Sequence, residues 1–140
     1  MRHPLHPALV HFPVACWSLA SAADLASLHY GEPAWRLAGA VLVIGLVMAI
    51  PAMLAGLYEL SRIAADSPAW SSVYLHMGAM SGALLLYAVS LFARLDRTTL
   101  LAPGTIAFTC SIAGFLCLAG GGWLGGKLVY EYRLGGAPSS

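Results

Sequence analysis

From Ser71 to Ala93 the chain reads SSVYLHMGAMSGALLLYAVSLFA, with no Asp, Glu, Lys or Arg in it. At a rise of about 1.5 Å per residue, roughly 20 apolar residues cross a hydrocarbon slab about 30 Å thick. Leu37–Tyr58 and Thr98–Gly126 are uncharged in the same way, and all three runs are long enough to cross. Lipid offers no hydrogen bonds to peptide groups, so each spanning segment must satisfy its backbone internally. That requirement predicts helices.

The segment ahead of these, Ala8–Leu28, is apolar overall but carries His11, Pro13, Ser18, Ser21 and Asp24. Ala20-Ser21-Ala22 resembles a signal-peptide cleavage site. The only positive charge before it is Arg2, and His3, Pro4, His6 and Pro7 make an atypical leader, so the segment is read as a retained first helix. Its polar side chains are expected to face the bundle rather than lipid. Composition agrees with a membrane fold: 59% hydrophobic and 9% charged residues across 140, with a mean hydropathy of +0.77. A net charge of +1, with no Lys/Arg-rich arm, argues against a nucleic-acid partner and leaves the lipid bilayer as the surroundings. The prediction is an all-α integral membrane protein, an antiparallel four-transmembrane-helix bundle. Its helices fall at about 8–29, 35–60, 70–94 and 99–131 within a single domain 1–134, followed by a flexible tail 135–140. The short links Ser61–Pro68 and Arg94–Thr98 make successive helices antiparallel neighbours. Arg2, Arg62, Lys127 and Arg133 fall on one side and Arg36, Arg94 and Arg97 on the other, a balance that leaves the orientation undetermined.

No internal repeat is visible in the sequence. Gly78/Gly82, Gly121/Gly125 and Gly122/Gly126 form GxxxG pairs, the spacing that lets helices approach closely within a bundle or across a homodimer. Pro51 is expected to kink the second helix by freeing the Val47 carbonyl. Cys16, Cys110 and Cys117 lie inside spans, and the absence of CxxCH excludes covalent haem attachment.

Histidine carries the chemistry. His11 near the start of helix one and His76 one turn into helix three belong to helices running in parallel, which predicts matching depth across the bundle interior. Two opposed imidazoles suit axial ligation of a b-type haem, because four-helix bundles build cofactor sites from facing helices. His6 joins them as a cofactor-side residue, with Arg62 and Lys127 opposite the propionates and Trp123 as an interfacial aromatic. Met80, one turn beyond His76, is an alternative axial ligand. The same residues support two other readings. Interhelical hydrogen bonds from the imidazoles to Glu59, Ser61 or Trp123 would make a cofactor-free structural or assembly subunit. His3, His6 and His11 with Glu59 would suit zinc, copper or non-haem iron. Glu59 and Arg62 are expected to pair, as is Asp24 with Arg36 or Arg94. No nucleophile–base pair or phosphate loop is present, so an electron carrier is favoured over a stand-alone enzyme.

The run RHPLHPALVHFPVA at Arg2–Ala15, the segment GLYELSRI at Gly56–Ile63 and the closing GGWLGGKLVYEYRLG at Gly121–Gly135 resemble a bacterial family known as domain of unknown function 2231 (DUF2231). The resemblance includes the histidine at the start of helix three, here His76. It implies a small four-helix protein, multi-pass in the bacterial inner (cytoplasmic) membrane. The family also occurs joined to Rieske iron–sulfur or cytochrome c domains, which implies a redox setting. On that basis the expectation is a cytochrome b-like electron-transfer protein, exchanging electrons with a quinone or with a Rieske or cytochrome c-type protein.

Overall fold

The computed structural model describes residues 5–134, and the expected tail 135–140 and His3 lie outside that range. Four long helices account for nearly all of it: α1 (Leu5–Tyr30), α2 (Glu32–Leu60), α3 (Trp70–Phe92) and α4 (Thr105–Tyr130). Between α3 and α4, β1 (Leu95–Asp96) and β2 (Thr99–Leu100) pair antiparallel around a tight turn in which Arg97 takes φ 55°. All four helices are long and apolar enough to span a membrane.

Three helix starts differ from the sequence prediction by three residues or more; that of α2 falls at Glu32 rather than 35, with Pro33 in its first turn. α1 starts at Leu5 rather than near residue 8, because Pro7 falls in the first turn, where its missing N–H is not needed. α4 starts at Thr105 rather than 99, because Thr99–Leu100 pairs with β1 and Pro103-Gly104 precedes the helix. Ala20 and Ser21, in the segment resembling a cleavage site, are helical and buried in the core. α2 runs uninterrupted through Pro51, whose ring is exposed.

The outer faces are apolar. Val47, Leu54, Leu85, Phe92, Ile106 and Leu116 all project outward, a surface that only lipid solvates well. The interior, in contrast, contains small and polar residues among a few large rings: Ala20, Ala38, Ala83, Ser90, Ser111, Trp17 and Tyr87. The protein is a multi-pass membrane bundle.

α1 packs mainly on α2 and α3 mainly on α4, so the molecule is a pair of helical hairpins. Although the sequence shows no repeat, the hairpins match position by position. Buried Pro13, Trp17, Ala20, Ser21 and Asp24 of α1 correspond at one constant offset to buried Ala83, Tyr87, Ser90, Leu91 and Arg94. On the second helices, buried Ala38, Leu42, Gly45, Ala49 and Ala52 correspond, again at a constant offset, to buried Ala107, Ser111, Gly114, Leu118 and Gly121. Few of these pairs are identical, because what repeats is burial and shape.

Three levels of side chains join α1 to α3: His6 with His76, Trp17 with Tyr87, and Asp24 with Arg94. The step from His6 to Trp17 is close to three whole helical turns, and that from Trp17 to Asp24 close to two. Each trio therefore stays on one helix face. The levels stand about 16 Å and then about 10 Å apart along the bundle.

Candidate functional site

The first level lies where the N-termini of α1 and α3 meet the C-termini of α2 and α4. His6 enters from the first turn of α1. Its Nδ1 is 2.7 Å from the Ala52 carbonyl of α2, and its backbone N–H donates to Glu59 Oε1 at 3.0 Å. His76, in the second turn of α3, places its Nδ1 2.8 Å from the Gly121 carbonyl of α4. A carbonyl only accepts, so each Nδ1 carries the proton of that bond and Nε2 is the ring nitrogen not engaged by it.

Glycine makes this arrangement possible. A Cβ at Gly56 would lie 2.9 Å from His6 Nδ1, and one at Gly125 would lie 3.1 Å from His76 Cε1. Each imidazole therefore sits against a glycine of its own hairpin and bonds the carbonyl one turn before it. Ala52/Gly56 and Gly121/Gly125 are equivalent positions, so the two hairpins hold their histidines by the same device. The rings meet across the bundle with centroids 6.5 Å apart and planes at 85°.

His11 is not part of this pair. It follows His6 by a little less than a turn and a half, which rotates it about 140° around the helix, and it is exposed. A helix starting near residue 8 would exclude His6 and leave His11 as the first candidate to oppose His76; the start at Leu5 reverses that choice. Met80 is also no ligand candidate, because its Sδ rests on α4 where a Gly121 Cβ would be, 2.6 Å away. Among the described residues no group of three His, Cys, Asp or Glu side chains is placed to hold a metal ion; of the alternative set His3, His6, His11 and Glu59, His11 is turned away from His6, and His3 lies outside the described residues.

The remaining expected residues surround the histidines at this end. Arg62 bonds the Tyr58 hydroxyl and lies over its ring, 4.5 Å from the centroid, rather than pairing with Glu59. Glu59 is instead the acceptor for His6 N–H. Lys127 lies 3.7 Å from Glu131, one turn further along α4. Trp123 is 71% exposed and faces outward, the placement of an interfacial aromatic rather than a lining residue.

Below the histidines, Trp17 stacks on Tyr87 with centroids 5.0 Å apart. Ser21 Oγ lies 2.9 Å from both the Tyr87 hydroxyl and the Ser111 carbonyl, and the Tyr87 hydroxyl donates to the Trp17 carbonyl at 3.1 Å. At the far end Asp24 accepts two bonds from Arg94, at 2.7 and 2.9 Å, with both side chains fully buried. Of the two partners expected for Asp24 it takes Arg94, while Arg36 bonds Glu32 within α2. Sequence reasoning does not single out Trp17 or Tyr87, whereas Ser21 faces the bundle as expected. The signal for the two rings is that each stands the same distance along its helix from a histidine, a fact with meaning only once the hairpins are matched.

A four-span membrane protein with one histidine contributed by each of two equivalent hairpins is the class defined by this fold. The chain matches the family described as predicted membrane protein (DUF2231) over residues 2–138, and it belongs to that family. No curated protein and no solved structure matches it.

Proposed function

We propose that the protein is a membrane-embedded haem-binding electron carrier in which His6 and His76 would hold the haem iron. The observation that carries this reading is the histidine pair itself. Two metal–nitrogen bonds of about 2.0 Å, plus about 1.2 Å from each ring nitrogen to its centroid, would separate imidazoles that face each other through one metal by about 6.4 Å, against about 5 Å at a tetrahedral angle. The observed separation is 6.5 Å. A metal-bound imidazole characteristically donates its other N–H to a carbonyl, and both rings do so here. Two protein ligands complete a haem iron, whereas zinc takes four donors.

Bound haem would supply a one-electron couple. The chain would supply ligand orientation through the Ala52 and Gly121 carbonyls, and an apolar surround that sets the potential. Arg62 and Lys127 lie at the same end and would balance the propionate charge. A quinone, or a Rieske or cytochrome c-type protein, is the proposed exchange partner, and the bacterial inner membrane the proposed setting. The second reading is a cofactor-free assembly subunit, favoured by the fact that each imidazole is already anchored within its own hairpin.

The test is an absorption spectrum of detergent-purified protein made with ample haem, oxidised and then reduced with dithionite, with a pyridine haemochrome assay and metal analysis. About one b-type haem per chain, lost in His6→Ala and His76→Ala but kept in His11→Ala, supports the proposal. A featureless spectrum from folded protein rejects it. In that case a bound ion in the metal analysis would point to a bare-metal site, and an empty result to the assembly subunit.

A further inference from the structure

The three levels joining α1 to α3 differ in one respect. At the first, imidazole meets imidazole, and at the second, indole meets phenol. A hairpin meeting its own copy would find nearly the same partners at both. At the third level the equivalent positions carry opposite charges, Asp24 and Arg94, with no exposure of either side chain. Two α1–α2 hairpins would bring two carboxylates together there, and two α3–α4 hairpins two guanidiniums. A buried charge facing its like is strongly disfavoured, and more so inside a membrane bundle.

The surroundings of the pair are asymmetric as well. Arg94 Nε donates to the Ser90 carbonyl at 3.1 Å and Nη2 to Ser90 Oγ at 2.8 Å, while Ser90 Oγ donates to the Ala107 carbonyl. The position equivalent to Ser90 in the first hairpin is Ala20, which has no hydroxyl to offer. The second hairpin is built to hold an arginine and the first to present a carboxylate.

We infer that the Asp24–Arg94 pair is a pairing code. The inner surface of the α1–α2 hairpin accepts an α3–α4 hairpin as partner and rejects a second copy of itself. The closed bundle therefore always receives one histidine of each kind. The code operates whether or not haem is bound.

Full-length variants in detergent test it. D24L/R94L removes the code while keeping the interior apolar, and D24N/R94Q, neutral and close in shape, serves if the leucine pair does not fold. The expected result, by size-exclusion chromatography with light scattering, is one oligomeric state for the wild type and a shift to two or more for the folded uncharged variant. A folded uncharged variant that keeps the single wild-type state overturns the inference. Co-expression gives a second measurement. D24R and R94D chains carrying different tags should co-purify several-fold better than two tagged copies of D24R, because exchanging hairpins between the two chains restores opposite charges at the third level. No excess of the mixed pair also overturns it.

Discussion

Trp17 stacks on Tyr87 at 5.0 Å with 23° between the ring planes, and each ring covers a glycine on the second helix of its own hairpin. The two covers are not equally tight. A Cβ at Gly45 would lie 2.6 Å from the Trp17 ring, whereas one at Gly114 would lie 3.2 Å from Tyr87. An indole held between a helix and a stacked phenol has nowhere to move. Gly45→Ala is expected to destabilise by about 1–3 kcal/mol, as overpacking does. Gly114→Ala should come out near neutral, because the helix gains up to about 1 kcal/mol from losing a glycine. Gly122→Ala, where no atom lies near, should be neutral or mildly stabilising. Thermal unfolding of the three variants in one detergent gives the order.

That order also marks how far the sequence can be read. Three of the four spans follow from uncharged length alone, since bilayer thickness fixes the number of residues needed, and the first, which carries Asp24, follows from its overall apolarity. The phase of each helix does not follow from it. Of the three GxxxG pairs, Gly121/Gly125 packs against Ala79, Met80 and His76, whereas Gly122/Gly126 has nothing within 4 Å. Spacing is the same in both, and only the rotation of α4 separates them. The choice between His6 and His11 is hidden for a related reason: the start of α1 decides which histidine faces inward, and Pro4 and Pro7 obscure that start. The hairpin repeat is invisible to letter matching because Trp17 corresponds to Tyr87 and Asp24 to Arg94, pairs equal in role and unlike in identity.

Breaking the buried ion pair should be far worse than erasing it. Asp24→Leu or Arg94→Leu alone leaves one buried charge without a partner, which costs about 3–5 kcal/mol. The double variant removes both charges and should recover most of that loss. Arg94→Lys should fall between, because an ammonium cannot span both carboxylate oxygens and Ser90. A double-mutant cycle from unfolding midpoints measures the coupling. Additive single losses would show that the pair contributes nothing as a pair.

The hydroxyl cluster at the second level is shared rather than redundant. Three hydroxyl protons, those of Ser21, Tyr87 and Ser111, serve four contacts: Ser21 with the Tyr87 hydroxyl, the Ser111 carbonyl and the Ser111 hydroxyl, and Tyr87 with the Trp17 carbonyl. Tyr87→Phe removes one proton and leaves Ser21 free to donate to Ser111 permanently. A loss of about 1 kcal/mol is expected, with no buried donor left unpaired. Ser21→Val should cost more, about 1–3 kcal/mol, because it adds volume at a 3%-exposed site and removes one of the two partners of the Tyr87 hydroxyl and the donor to the Ser111 carbonyl. Unfolding midpoints of the two variants, measured in the detergent used for the wild type, decide the order.

If haem binds as proposed, the glycines behind the ligands should tune it without being needed to hold it. A methyl at Gly125 meets His76 Cε1 at 3.1 Å and Nδ1 at 3.3 Å, so Gly125→Ala turns the ring and strains its bond to the Gly121 carbonyl. Haem content should stay within about twofold of wild type while the low-spin electron paramagnetic resonance signal and the reduction potential shift, since the hydrogen bond behind a ligating imidazole sets its basicity. Gly56→Ala should do the same through His6 and more strongly, its Cβ being 2.9 Å from the bonded Nδ1. Gly78→Ala, on the histidine-bearing helix but in open space, is the control and should leave the spectrum unchanged. A shift of equal size in all three variants would mean that the glycines act through general packing and not through the imidazoles.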